Sequence, residues 1–119
     1  MNLAPKLQLR PGQHVEMVMV PDSVAAALGE PELTAVGQPE AALLVFVANS
    51  AGLEASRAQI VGAALGDRLT WVAYPKSGQL ATDLNRDSLA ASLLKNGVQP
   101  VRQIAIDEVW SAVRFRPAG

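Results

Sequence analysis

Three clusters of side chains carry the chemistry available to this chain. Lys76-Ser77-Gly78 puts an ammonium, a hydroxyl and a turn glycine in succession, a combination that can hold an anion through a point charge and loop N–H groups. Thr82-Asp83 follows within the same loop, and Asp107-Glu108 stands near the end of the chain. Carboxylates beside a lysine can act as acid and base. The same residue types also cap helices, close turns and pair with lysines, and no phosphate-loop motif surrounds Lys76. No residue is therefore assigned a catalytic role. His14 is the only histidine and cannot build a metal cluster alone. No serine lies in a G-x-S-x-G elbow. Zero cysteines exclude disulfides, thiolate catalysis and cysteine-bound metal, and fit a reducing, cytoplasmic setting.

These clusters need a scaffold, and the hydropathy pattern supplies one. Leu69–Tyr74 is a short apolar run that stops at Pro75, and a helix start follows at Asp83 or Asn85. In an open parallel sheet, the loop after a strand's carboxyl end is where ligands usually bind. Upstream, His14–Val20 reads as a strand, with His14 and Glu16 alternating against Val15 and Met17. Asp22 or Ser23 caps a short helix, Val24–Leu28, and a minor strand is placed at Leu33–Val36. Ala41–Ala48 is continuously apolar and branched, which marks a central buried strand. Asn49 and Ser50 are candidate caps for a helix Ala51–Leu65, which places Leu53, Ile60, Val61, Ala64 and Leu65 on one face. Asp87–Lys95 forms the next helix, with Leu89, Leu93 and Leu94 inward.

Val101–Ile106 and Val109–Phe115 are separated only by Asp107-Glu108, too short for a parallel crossover, so the pair is antiparallel. Asp-Glu suits the tight primed turns poorly, so a longer connection is expected. Residues 1–13, broken by Pro5, Pro11 and Gly12, read as an arm whose Leu3, Leu7 and Leu9 pack on the domain edge.

The pattern predicts one α/β domain over residues 1–119: a three-layer sandwich with a mostly parallel sheet and a C-terminal antiparallel hairpin, Rossmann-like and truncated. Leu44, Phe46, Ile60, Leu65, Trp71, Leu89 and Leu93 are expected in the core. The carboxyl ends of the parallel strands gather Asp22, Ser23, Asn49, Ser50, Lys76, Ser77 and Thr82. A right-handed crossover after Lys76 brings Asp107 and Glu108 to the same rim, within reach of Lys76. The predicted ligand site is a polar mouth of Lys76, Ser77, Thr82, Asp107 and Glu108 over an aromatic wall at Trp110.

Ten basic and eleven acidic residues nearly cancel, so no stripe of positive charge invites nucleic acid. The N-terminus lacks an apolar core of signal-peptide length. No stretch approaches the eighteen or so apolar residues of a membrane helix. The partner expected is a small molecule or a protein, with a homodimer through the last strand or the helices as a third possibility.

The order VFVANSAGLEA, TWVAYPKSGQLATDL, QIAIDEVWSAVRFRP resembles the bacterial family called domain of unknown function 3052. The resemblance rests on Trp71, Ala73, Pro75 and Lys76, on Thr82, Asp83 and Leu84, and on Asp107, Glu108, Trp110, Ser111, Val113, Arg114 and Phe115. It implies no activity. The strand order also looks like a shortened class I methyltransferase core. Those enzymes follow their first strand with a glycine-rich loop, whereas Val20-Pro21-Asp22-Ser23 has no glycine until Gly29. The expectation is no adenosylmethionine, no cofactor, and a binding or regulatory module, with a minimal enzyme or enzyme remnant as the alternative.

Overall fold

The computed structural model describes residues 5–9, 14–27, 32–33, 41–76, 78–80 and 82–118. Its elements run β1 (His14–Val18), α1 (Asp22–Ala27), β2 (Glu32–Leu33), β3 (Ala42–Phe46), α2 (Ser50–Leu65), β4 (Thr70–Pro75), α3 (Arg86–Leu94), β5 (Val98–Ala105) and β6 (Trp110–Pro117). They form an α/β domain around a mixed sheet of five full strands, with the two-residue β2 at one edge. The order across the sheet is β2-β1-β3-β4-β6-β5. Strands β1 to β4 pair in parallel, and β6 is antiparallel to both β4 and β5.

The central strands follow from composition. Ala41–Val47 and Thr70–Pro75 are buried on both faces, as continuous apolar runs in a covered parallel sheet should be. On one face, Leu43, Val45, Val72, Tyr74, Val113 and Phe115 pack with Leu53 and Ile60 of α2 and with Leu89 and Leu93 of α3. On the other face, Leu44, Phe46, Trp71, Ala73 and Ala112 pack with Val24 of α1 and with Leu7.

Both longer helices start on asparagine. Asn49 accepts a 2.9 Å bond from the Gly52 N–H. Asn85 and Ser88 form a reciprocal capping box. After α3 the chain turns at Gly97, φ +86°, a left-handed conformation that glycine adopts without steric cost. Arg57 ties the two helices together, donating to the Ser92 carbonyl and to Asn96 Oδ1 while pairing with Glu54.

Several expectations are corrected. Leu65, assigned to the core, is 52 % exposed, because it falls in the last turn of α2 beyond the edge of the packed face. Glu16, which alternates with Val15 and Met17 in the sequence, is only 4 % exposed. Its carboxylate accepts a 2.9 Å bond from Arg68 Nη2, and Arg68 Nε donates to the Ala41 carbonyl at 2.6 Å. Both faces of β1 are covered, so its polar residue requires a buried partner. The arm does more than fringe the domain. Leu7 is fully buried, and its carbonyl accepts the Trp71 indole N–H at 2.8 Å. The last strand is not an edge: β6 lies between β4 and β5, so both sides of its backbone are paired within the sheet. Of the minor strand expected at 33–36, Leu33 belongs to β2, and residues 34–36 lie outside the described residues, as do Leu3 and Leu28.

Candidate functional site

The carboxyl rim of the parallel strands is where the sequence places a site. Lys76 leaves β4 there, and its backbone N–H donates to the Val109 carbonyl at 2.7 Å. This bond continues the β4–β6 ladder past the Pro75–Trp110 pair and fixes the Asp107-Glu108 connection on the same rim. Strand β5 runs in the direction of β4, as expected, although β6 separates the two.

The predicted mouth is only partly assembled. Lys76 is half-buried and pairs with neither Asp107 nor Glu108. Asp107 serves the backbone instead, its Oδ1 accepting the N–H groups of Val109 and Trp110, both at 2.8 Å. The Ile106 N–H closes the turn on the Trp110 carbonyl at 2.9 Å, giving the longer connection anticipated for Asp-Glu. Glu108 is exposed. Thr82 uses Oγ1 to accept the Leu84 N–H at 3.1 Å. Trp110 is half-buried, edge-on to Phe46 with ring centroids 4.8 Å apart, so its ring supports the rim more than it lines an opening. Ser77 lies outside the described residues.

Asp83, the other carboxylate considered for acid–base work, is also engaged. Its two oxygens accept the Ser50 backbone N–H at 2.8 Å and the Ser50 hydroxyl at 2.5 Å. The Ser50 hydroxyl, then the Ser50 N–H, hold the carboxyl below its ordinary range. Asp83 thereby pins the loop after β4 to the first turn of α2, where negative charge suits the helix dipole.

Two features of the rim escaped sequence reasoning. Met19 and Leu80, each following a parallel strand, have φ of +57° and +53° and are 81 % and 58 % exposed. A left-handed backbone costs a branched or bulky side chain roughly 1–2 kcal/mol. Strained, exposed apolar residues are a recognised mark of a contact surface, and no local composition signals them. Beneath the rim, Tyr74 is buried and its hydroxyl accepts from Gln103 Nε2 at 2.9 Å. Burial pushes this phenol upward, against the pull of the Arg86 cation.

Among the described residues, no group of three or more His, Cys, Asp or Glu is placed to hold a metal ion, and no helix is long and apolar enough to cross a membrane. No protein-family model, curated protein or solved structure matches the chain.

Proposed function

We propose that this protein is a non-catalytic binding or regulatory module that takes a small-molecule or protein partner at the carboxyl rim. The observation that carries the reading is the use of the rim carboxylates. Asp83 and Asp107 accept backbone N–H groups and hold loops in place. General acid–base work needs a carboxyl free to reach a substrate proton, and these two are occupied. Met19, Leu80 and Glu108 are exposed on the same rim, with Lys76 half-buried beside them. They offer two apolar contacts, one carboxylate and one cation.

The fold on this reading is a truncated, Rossmann-like three-layer sandwich, supported by core clusters on both faces of the sheet. Membership of the domain of unknown function 3052 family is part of the proposal. It is supported by the roles its marker residues fill, since Trp71 anchors the arm, Asp83 ties loop to helix, and Asp107 closes the hairpin. A bacterial, cytoplasmic setting goes with that family and with the lack of cysteine.

One observation favours the second reading, an enzyme remnant of methyltransferase-like topology: β6 is inserted antiparallel between β4 and β5. Against it, the turn after β1 runs Met19-Val20-Pro21 without glycine, and α1 is only six residues long. Calorimetric titration with S-adenosylmethionine separates the two. No heat of binding is expected, and a micromolar dissociation constant would overturn the non-catalytic reading. A fragment screen followed by amide chemical shifts checks the location. Hits should perturb Val20, Lys76, Leu80 and Val109. Perturbations confined to the opposite end of the sheet would remove the rim from consideration.

A further inference from the structure

Strands β5 and β6 carry, away from their connecting turn, a concentration of positive charge that the rim site does not use. Arg102 of β5 stands directly opposite Arg114 of β6. Arg116 lies two residues along β6 and, by strand alternation, on the same face. Like charges opposed across an antiparallel ladder work against folding, so this arrangement needs a reason. Arg114 is the most confined of the three. Its Nη1 donates to Gln8 Oε1 at 2.9 Å, while Nε is buried and without a partner among the described residues. Burial, then the neighbouring Arg116, lowers the proton affinity of its guanidinium.

Among the described residues, little negative charge offsets this group. Asp67 Oδ1 lies 3.5 Å from Arg116 Nη2, with both side chains largely in solvent, a loose pair of the kind that contributes little. The segment that supplies Gln8, residues 1–13, contains Lys6 and Arg10 and neither Asp nor Glu. Among the described residues, three guanidiniums against one carboxylate leave two charges uncompensated.

An open depression of about 510 Å³ adjoins the cluster, lined by Asp67, Gln99, Val101, Arg116 and Pro117. Gln99 stands opposite Arg116 across the ladder. Val101 and Pro117 supply apolar wall, and the volume falls in the range of ordinary small-molecule sites, roughly 300–1,000 Å³.

We propose that this depression binds a small phosphate monoester, with Arg116 and Gln99 contacting the phosphoryl oxygens and Arg102 and Arg114 supplying charge from the adjacent strand positions. A dianion matches the two uncompensated charges. The planar guanidinium fork matches phosphate oxygens bidentately. The chain as a whole has a net charge of −1, and the positive group is confined to one hairpin, so a short ligand fits better than a polyanion.

The test is a titration of the full chain with phenyl phosphate and with inorganic phosphate at constant ionic strength, followed by amide chemical shifts. Saturable shifts are expected at Gln99, Arg102 and Arg116, stronger with the monoester. Arg116→Gln should weaken binding roughly tenfold, the loss of one charged hydrogen-bonding contact, and Arg102→Gln should weaken it less. Both positions are exposed, and retained dispersion of the spectrum verifies folding. Lys95→Gln, a charge-matched change on the exposed end of α3, should leave affinity unchanged. Absence of saturable shifts, affinity indifferent to Arg116→Gln and Arg102→Gln, or shifts centred on the Lys76 loop would each overturn the proposal. So would a single-stranded oligonucleotide that binds more tightly than phenyl phosphate.

Discussion

At the end of the sheet where β1, β3 and β4 finish, polar side chains are occupied in holding the chain. Asn49 caps α2, Asp83 holds Ser50, Thr82 holds Leu84 and Asp107 closes the hairpin. At the opposite end, Arg68 is equally well satisfied, bonded to Glu16 and Ala41. A short distance along the strands, Arg102, Arg114 and Arg116 face one another with a single loosely paired aspartate. Ligands in open α/β sheets usually lie at the strands' carboxyl ends. Here that rim presents apolar contacts, one lysine and the exposed Glu108, whereas the surplus positive charge lies toward the other end of β5 and β6, away from their turn. Position within a fold therefore says less about a site than the bonding state of the groups found there.

The largest expected effects test whether each end is braced from within. Phe46→Ala removes the ring beneath Trp110 and should cost about 3–5 kcal/mol; a denaturant midpoint equal to wild type would mean the carboxyl rim is not supported by that pair. Arg68→Ala should be as costly, about 3–5 kcal/mol, because it leaves the buried Glu16 carboxylate without its partner. A midpoint shift well under half of that would show that Arg68 is no better satisfied than the arginines of the hairpin.

A smaller effect of opposite sign sharpens the contrast. Arg102→Gln relieves the opposed charges and should raise stability by about 0.2–1 kcal/mol in low salt, with the gain shrinking as salt is added. A loss of stability would mean that the three arginines hold the hairpin together.

The least effect concerns Asp83, which is fully exposed. Its folded-state carboxyl lies below its ordinary range. Its contribution is therefore complete above the ordinary carboxylate pKa of about 4 and is lost as pH falls through the depressed value. Wild type should lose its advantage over Asp83→Asn on acidification. Midpoints measured across a pH series would contradict this if the difference between the two proteins stayed constant.

Much of the architecture could be read from the chain. The apolar run Ala41–Ala48, the asparagines that open α2 and α3, and the short gap at Asp107-Glu108 each have local causes, so they were legible one segment at a time. Features set by distant neighbours were not. Glu16 is a polar residue near the start of the first strand, and only Arg68, 52 residues on, makes its burial tolerable. Leu65 continues the apolar periodicity of α2, but as the last residue of the helix it is left largely exposed. The insertion of β6 beside β4 depends on which strand edge is free, which no local pattern encodes. Asp83 and Asp107 have the residue type and neighbourhood of catalytic groups; only the direction of their hydrogen bonds assigns them to the scaffold. Met19 and Leu80 read as ordinary apolar positions until their backbone conformations are known.

The last strand made is also the one that joins the sheet. Until Trp110–Pro117 exists, β5 has no hydrogen-bonded neighbour and the exposed side of β4 has no cover. The arm waits equally long: Gln8 meets Arg114 and Lys6 meets the Ala105 carbonyl across separations of 106 and 99 residues. A chain growing from its N-terminus thus holds an unfinished sheet until β6 has been made. Such distant pairings slow folding and leave a strand edge open meanwhile. Until the eight-residue β6 is in place, β4 and β5 each keep an open edge of the kind that favours aggregation.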